Sequence, residues 1–362
     1  MKYFFVVGER SGDLHASRVI EQLQHLDHNC EVYGWGGKLM ENAGAKILRN
    51  YIEYSIIGFW EVIRGLGKLH SLLKACKKDI SNIQPDVLVL VDFAGFNLRL
   101  GNYAKENGVK IAYYIPPKVW AWGTHRINKI KNCVDETLVI FPFEESFFKE
   151  RGVRAKYVGN PSLESFHHTS DSSKMEQKAI AILPGSRRSE VISSIAIVDE
   201  LARSNPDLKF LVSKVDSLPK DLYRILESRQ NTSLFEGNSK EILSRAEIAV
   251  VTSGTATLEA ALLGVPQIVV YKTSRVTYLI AKYLVSIPYI SLVNILLNRK
   301  LVVELIQKEF SSENIEMEVK KLMKDTGRQK KISEGYSEIR NILGDKVASS
   351  TASKAIYDLG RS

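Results

Sequence analysis

The chain has 362 residues, with 50 Lys+Arg against 41 Asp+Glu and a net charge of +9. At 44% hydrophobic and 25% charged the composition is ordinary globular, which excludes a disordered, collagen-like or coiled-coil protein, and the length allows two domains, each with its own core. Cys30, Cys76 and Cys133 are too widely spaced for a disulfide framework or a local zinc knuckle and fit a reducing, cytosolic compartment.

In chain order, Tyr3–Val7 is an apolar run ending at Gly8. With no basic n-region or small-residue cleavage site, it reads as a buried first strand rather than a signal peptide. A helical pattern follows through Leu14, Val19, Ile20 and Leu23. Segment 56–80 places Ile56, Trp60, Ile63, Leu66, Leu69, Leu73 and Ile80 at helical spacing, interleaved with Arg64, Lys68, Lys74, Lys77 and Lys78. Phe59 and Leu72 widen its apolar face, and two readings are open: a core-facing helix, or one lying in an anionic bilayer interface. Strands are then expected at Val87–Val91, Lys110–Ile115 and Glu136–Ile140, with a helix from about Phe96 to Glu106. The polar stretch His167–Lys178 reads as a linker, after which strands recur at Ala179–Leu183, Lys209–Ser213, Glu247–Thr252 and Gln267–Tyr271.

Uninterrupted Val/Ile/Leu runs between amphipathic stretches indicate parallel strands covered on both faces. The expected architecture is α/β: two successive doubly wound Rossmann-like domains with a cleft between them. Domain one is placed at 1–165, joined by a C-terminal helix over 337–362, and domain two at 175–336. Two stretches, Ala249–Tyr271 and Val276–Leu297, hold one charge each, Glu259 and Lys282. Ser253-Gly254-Thr255, Gly264-Val265-Pro266 and Pro288 interrupt them, which favours buried α/β core over membrane spans. The basic balance is compatible with an anionic substrate or surface. No finger, RNA-binding consensus or basic heptad is present, so nucleic acid is not an expected partner.

Four motifs carry the chemistry. Leu183-Pro184-Gly185-Ser186-Arg187 follows a predicted strand, where turn N–H groups and a planar guanidinium suit a diphosphate. Thr252-Ser253-Gly254-Thr255-Ala256-Thr257-Leu258-Glu259 follows another and opens a helix whose small residues let an anion approach the positive dipole end. Plain N-capping by Ser253 or Thr255 is the alternative there. Glu259, one turn in, is placed to accept hydrogen bonds from a ribose diol, or is a solvated helix residue. Gly8-Glu9-Arg10-Ser11-Gly12-Asp13 is neither a dinucleotide fingerprint nor a P-loop, and its polar side chains are expected to line the cleft. Asp92 ends the strand Val87–Val91, as a general base or as a cap. The seven histidines form no metal-ligand pattern, and no Asp-x-Asp occurs, so neither metal nor other cofactor is expected.

These motifs resemble those of the lipid-A-disaccharide synthase family when joined, in order, with Gly58-Phe59-x-Glu61-Val62, Phe96-Asn97, Val119-Trp120-Ala121-Trp122, Phe141-Pro142-Phe143-Glu144 and Asn294. The resemblance covers roughly residues 3–308. It implies a glycosyltransferase B-type fold and an inverting, UDP-dependent transfer. The donor would be UDP-2,3-diacylglucosamine and the acceptor 2,3-diacylglucosamine 1-phosphate (lipid X), giving a β-1,6 disaccharide 1-phosphate and UDP. Carried over, Asp92 corresponds to the base, and Glu9, Ser11 and Asn294 to other activity-critical positions. Gly185, Ser186, Arg187, Gly254, Thr255, Ala256, Thr257 and Glu259 fall on the UDP side. Phe59, Trp60, Arg64, Lys68, Lys118 and Trp120 fall on the acceptor and membrane side. The family also implies a cytoplasmic enzyme attached peripherally to the inner face of the inner membrane. Departures are Ala94-Gly95 for the usual Pro-Asp, Pro116-Pro117-Lys118 for Ser-Pro-Ser, Asn160 for His and Val293 for Pro. The rival readings are a UDP-sugar 2-epimerase of the same fold and a non-catalytic membrane-binding protein. Oligomeric state is not indicated.

Overall fold

A computed structural model describes residues 1–54, 66–164, 179–215, 218–237, 239–274, 277–279, 283 and 287–362. The chain forms two compact units, Met1–Glu164 with Leu343–Ser362, and Ser165–Ile342.

The first unit is built on strands β1 (Lys2–Val6), β2 (Glu31–Gly36), β3 (Lys46–Asn50), β4 (Val87–Val91), β5 (Lys110–Tyr114), β6 (Glu136–Val139) and β7 (Ala155–Tyr157). All pair in parallel, in the order β3-β2-β1-β4-β5-β6-β7. Its helices are α1 (Arg10–Leu26), α2 (Lys38–Asn42), α3 (Leu66–Ile83), α4 (Ala94–Glu106), α5 (Arg126–Cys133), α6 (Pro142–Lys149) and α7 (Pro161–Glu164). The central strand β4, five apolar residues, is wholly buried. Its alternate side chains feed two cores, Leu88 and Leu90 on one face, Val87, Val89 and Val91 on the other. That is why an unbroken apolar run marks a strand covered on both sides.

The second unit has β8 (Ala179–Leu183), α8 (Arg188–Ser204), β9 (Lys209–Lys214), α9 (Arg224–Glu227), β10 (Thr232–Glu236), α10 (Ser239–Ser244), β11 (Ile248–Thr252), α11 (Thr255–Leu262), β12 (Gln267–Tyr271), α12 (Leu292–Leu297), β13 (Val303–Ile306), α13 (Ser312–Lys324) and α14 (Thr326–Leu343). Its parallel sheet runs β10-β9-β8-β11-β12-β13. Helix α15 (Ala348–Arg361) returns to the first unit, where Ala352, Ala355, Ile356 and Leu359 enter the core beside Tyr3 and Phe5. Glu164 receives the Ser349 N–H at 3.0 Å and the Ser349 hydroxyl.

The expected C-terminal helix over 337–362 is two helices, because Gly344 takes a left-handed φ of +61° between α14 and α15. Sequence pattern missed β2, β3, β7, β10 and β13, of which all but β2 are sheet edges. Within α3, Leu72, Cys76 and Ile80 are buried and Leu69 and Leu73 pack on the same core, so that part of segment 56–80 is a core-facing helix. Residues 55–65, with Phe59, Trp60 and Arg64, lie outside the described residues, as do the side chain of Lys68, the linker 167–178 and much of 276–286. Ala249–Tyr271 is a strand–helix–strand unit, and among the described residues no helix is long and apolar enough to cross a membrane.

Candidate active site

Each sheet reverses its direction of strand addition between its first and fourth strands, β1/β4 and β8/β11, the switch point at whose carboxyl edge open α/β sheets bind ligands. All four chemical motifs leave those four strands.

At the first switch point the backbone is strained. Among the described residues six non-glycine positions have a left-handed φ, and three lie at the adjacent ends of β4 and β5: Asp92 (+46°), Phe93 (+48°) and Ile115 (+56°). Each such conformation costs on the order of 1–3 kcal/mol and persists only where its surroundings enforce it. Here the Asp92 carbonyl accepts from Asn97 Nδ2 at 2.8 Å and from the Tyr113 hydroxyl at 2.7 Å, while the Asp92 N–H donates to Tyr114 O at 3.2 Å. The Phe93 ring stacks on Phe96, with centroids 5.2 Å apart, and lies 6.0 Å from Tyr54. Gly8 makes room for it, since a Cβ there would stand 2.3 Å from the ring.

The Asp92 carboxyl is half-buried. Burial, then the charge of Glu9, push its pKa up to about 6, against the opposing pull of Lys118 and of the Phe93 N–H. It is therefore ionised at neutral pH yet poised near it, as a general base should be. Glu9 and Ser11 are exposed at the start of α1, and the Ser11 hydroxyl donates to the Glu9 carboxylate. Asp13 departs from expectation: it is 2% exposed and accepts from the N–H groups of Gly37, Leu39 and Met40, capping α2. Trp120, expected as an acceptor or membrane contact, is buried, with its Nε1–H on Glu144 Oε1 at 2.8 Å. Lys118 is exposed, and so is Trp122, which carries Arg126 over its ring at 4.5 Å.

At the second switch point, Gly185 takes φ +97° and turns the chain after β8. The turn N–H groups are not left open for a ligand. Ser186 N and Arg187 N both donate to Glu190 Oε2 at 3.2 Å, and Arg187 Nη1 meets Glu190 Oε1 at 3.0 Å. Glu190 closes the motif that begins at Leu183, and the sequence reading assigns it no role; its signal is a glutamate three residues past the helix cap. After β11, Thr255 is exposed, Gly254 and Ala256 are half-buried, and Glu259 Oε2 accepts from the Ser239 hydroxyl at 2.5 Å. Thr257, expected to touch UDP, is fully buried and bonds Gly254 O and the Leu292 N–H. Asn294 is likewise fully buried: its Oδ1 accepts from the N–H groups of Leu301 and Val302, and its Nδ2 donates to Val302 O and Glu304 Oε1. Its polar atoms are used within the unit, where they tie α12 to the 301–304 stretch.

Solved structures share this architecture at low identity. The UDP-GlcNAc 2-epimerase of Neisseria meningitidis, crystallised with UDP-GlcNAc, matches with a TM-score of 0.66 at 16% identity, covering 99% of each chain. The glycotransferase of kitacinnamycin matches with a TM-score of 0.67 at 14% identity, covering 99% of this chain and 98% of that one. Such likeness defines the class, a glycosyltransferase B-type α/β fold. The family follows from sequence. The profile of lipid-A-disaccharide synthetase matches residues 3–357, and the chain belongs to that family. It is 34% identical to lipid-A-disaccharide synthase 1 of Legionella pneumophila (strain Philadelphia 1), over 98% of this chain and 95% of that protein. It is 33% identical to the lipid-A-disaccharide synthase of Myxococcus xanthus, over 98% and 96%.

Proposed function

We propose that this chain transfers 2,3-diacylglucosamine from UDP to the 6-hydroxyl of 2,3-diacylglucosamine 1-phosphate, giving the β-1,6 disaccharide 1-phosphate and UDP. The family match over nearly the whole chain carries this reading. Asp92 takes the proton of the acceptor hydroxyl as its oxygen bonds to the donor C1, and the C1–O bond to UDP breaks with inversion. UDP leaves with the bonding pair, its growing charge met by Arg187 and by the amino end of α11 around Gly254, Thr255 and Ala256. Glu259 holds the ribose. Glu9 and Ser11, beside Asp92, orient the acceptor. The work takes place at the cytoplasmic face of the inner membrane, to which the chain attaches peripherally through its anionic lipids.

The test is UDP release measured with both lipids, with each alone, and with UDP-N-acetylglucosamine alone. Release that requires both lipids supports the transfer. Formation of the 2-epimer from UDP-N-acetylglucosamine would replace it with the epimerase reading, and no turnover of any substrate would leave a non-catalytic protein.

A further inference from the structure

We propose that Glu144 is a positioning residue for the acceptor side of the site, its carboxylate holding the 116–122 loop, and Lys118 with it, in register with Asp92. A glutamate at the third position of a helix ordinarily receives the N–H groups of its own cap. Glu144 does so, accepting at Oε2 from Phe141 N at 3.0 Å and Ile140 N at 3.2 Å. It also has a third donor from another stretch of chain, Trp120 Nε1 on Oε1 at 2.8 Å. At 2% exposure it is a buried carboxylate with no cation within ion-pair distance among the described residues. That is a costly arrangement, sustained only by the geometry of its donors.

The rest of the loop is fixed around that bond. Ile115 leaves β5 in a left-handed turn, and Pro116, Pro117, Val119, Trp120 and Ala121 are all buried. Ala121 N and Trp122 N donate to Lys118 O at 3.0 and 3.3 Å, and the Trp120 ring meets Phe143 edge-on with centroids 5.0 Å apart. Between Ile115 and Ala121 only Lys118 is exposed, and its charge acts on the carboxyls of both Asp92 and Glu144. The carboxylate of Glu144 thus fixes where a cation stands relative to the base, without itself touching substrate.

This rests on the reading of Asp92 as base, and the experiment separates the two. Glu144→Gln cannot accept on both sides, because its amide would face a donor, and Trp120→Phe removes the indole donor while keeping a ring. Each should lower kcat/KM for the acceptor by about tenfold or more, as a loop displaced by a fraction of an ångström would. The Kd for UDP should be unchanged. Each should also move the acid limb of the pH–rate profile upward, by about half a unit to one unit, as Lys118 withdraws. Lys118→Met should move it the same way, and adding Glu144→Gln to it should move it no further. An acid limb that stays at the parent value in folded Glu144→Gln or Trp120→Phe overturns the proposal, as does an equal loss of UDP affinity. Trp120→Phe serves if Glu144→Gln does not fold. Asp92→Asn, run beside them, reports on the base itself: near-parental turnover there overturns the base assignment whatever the loop variants do.

Discussion

After β4 and β5 the first unit turns its chain through three left-handed residues that carry side chains, whereas after β8 the second unit turns at Gly185. The first arrangement is strained and needs support: an aromatic cluster of Trp35, Tyr54, Phe93 and Phe96, and the two bonds to the Asp92 carbonyl. The second is relaxed, and its donors are kept occupied by the carboxylate of Glu190. In the proposed reaction Asp92 takes the proton, and the strained backbone lies at that residue and its neighbours, fixed before a substrate arrives. In the proposed reaction this turn lies on the leaving-group side, and the carboxylate of Glu190 keeps its N–H donors converging on an anion.

The largest test of this contrast is Asp92→Asn. Turnover should fall by about 10² or more, the usual weight of a general base, with Kd for UDP unchanged. Glu9→Gln is the control; if that variant loses activity while Asp92→Asn stays within about threefold of the parent, short of the general-base range, the base is Glu9. Stability should move the other way. Burial raises the Asp92 pKa to about 6 in the folded chain, above its unfolded value, so the stabilisation from its proton is complete below about pH 4 and lost as pH rises through 6. Glu144, also raised to about 6 chiefly by burial, adds the same trend to the parent and to the variant. Asp92→Asn keeps a neutral side chain throughout, so its Tm advantage over the parent should grow between pH 4 and 7.5. A pH-independent difference would show that the carboxyl is not desolvated.

Next in size is the second switch point. Arg187→Ala and Glu259→Ala should each weaken UDP binding about 10- to 100-fold by calorimetry, the range for a hydrogen bond to a charged group. Unchanged affinity in both would remove the UDP assignment. The smallest effects separate the two turns. Gly8→Ala drives a methyl to 2.3 Å from a stacked ring, and Gly185→Ala drives one to 2.4 Å from the end of the Glu190 side chain, at a φ of +97°. Overpacking against the ring should cost about 1–3 kcal/mol by denaturant melts. The left-handed alanine should cost about 1–2 kcal/mol. Gly8→Ala should in addition lower turnover, because Phe93 adjoins Asp92. Gly185→Ala should instead weaken UDP binding, as the proposed function requires of that turn.

Where strands are buried on both faces, the sequence was legible: the runs at 87–91, 179–183 and 267–271 coincide with β4, β8 and β12. The missed edge strands look different for a physical reason. Lys46–Asn50 and Thr232–Glu236 face solvent along much of their length and carry Lys, Arg, Asn, Thr and Glu, so no apolar run announces them. At the candidate site, Asp92, Glu9 and Arg187 were readable as strand-end polar residues. The burial of Trp120, Thr257 and Asn294 was not. Each is committed to a partner far along the chain or across a turn, and a motif records residue types without recording which polar atoms are already used. Glu144 and Glu190 show the converse: each stands at the third position of its helix, where a cap is the ordinary role, and each also organises a neighbouring loop.

The return of α15 to the first unit bears on how the protein is made. Ile356 and Leu359 complete a core whose other members, such as Tyr3, Phe5 and Val89, are synthesised first. Those members must wait while the ribosome adds the whole of the second unit and the last helix, close to 200 residues. At roughly 5–20 residues per second that interval is on the order of 10–40 s. Throughout it the nascent first unit exposes apolar surface along β1, β4 and α1. A chain truncated before residue 348 would leave that surface uncovered.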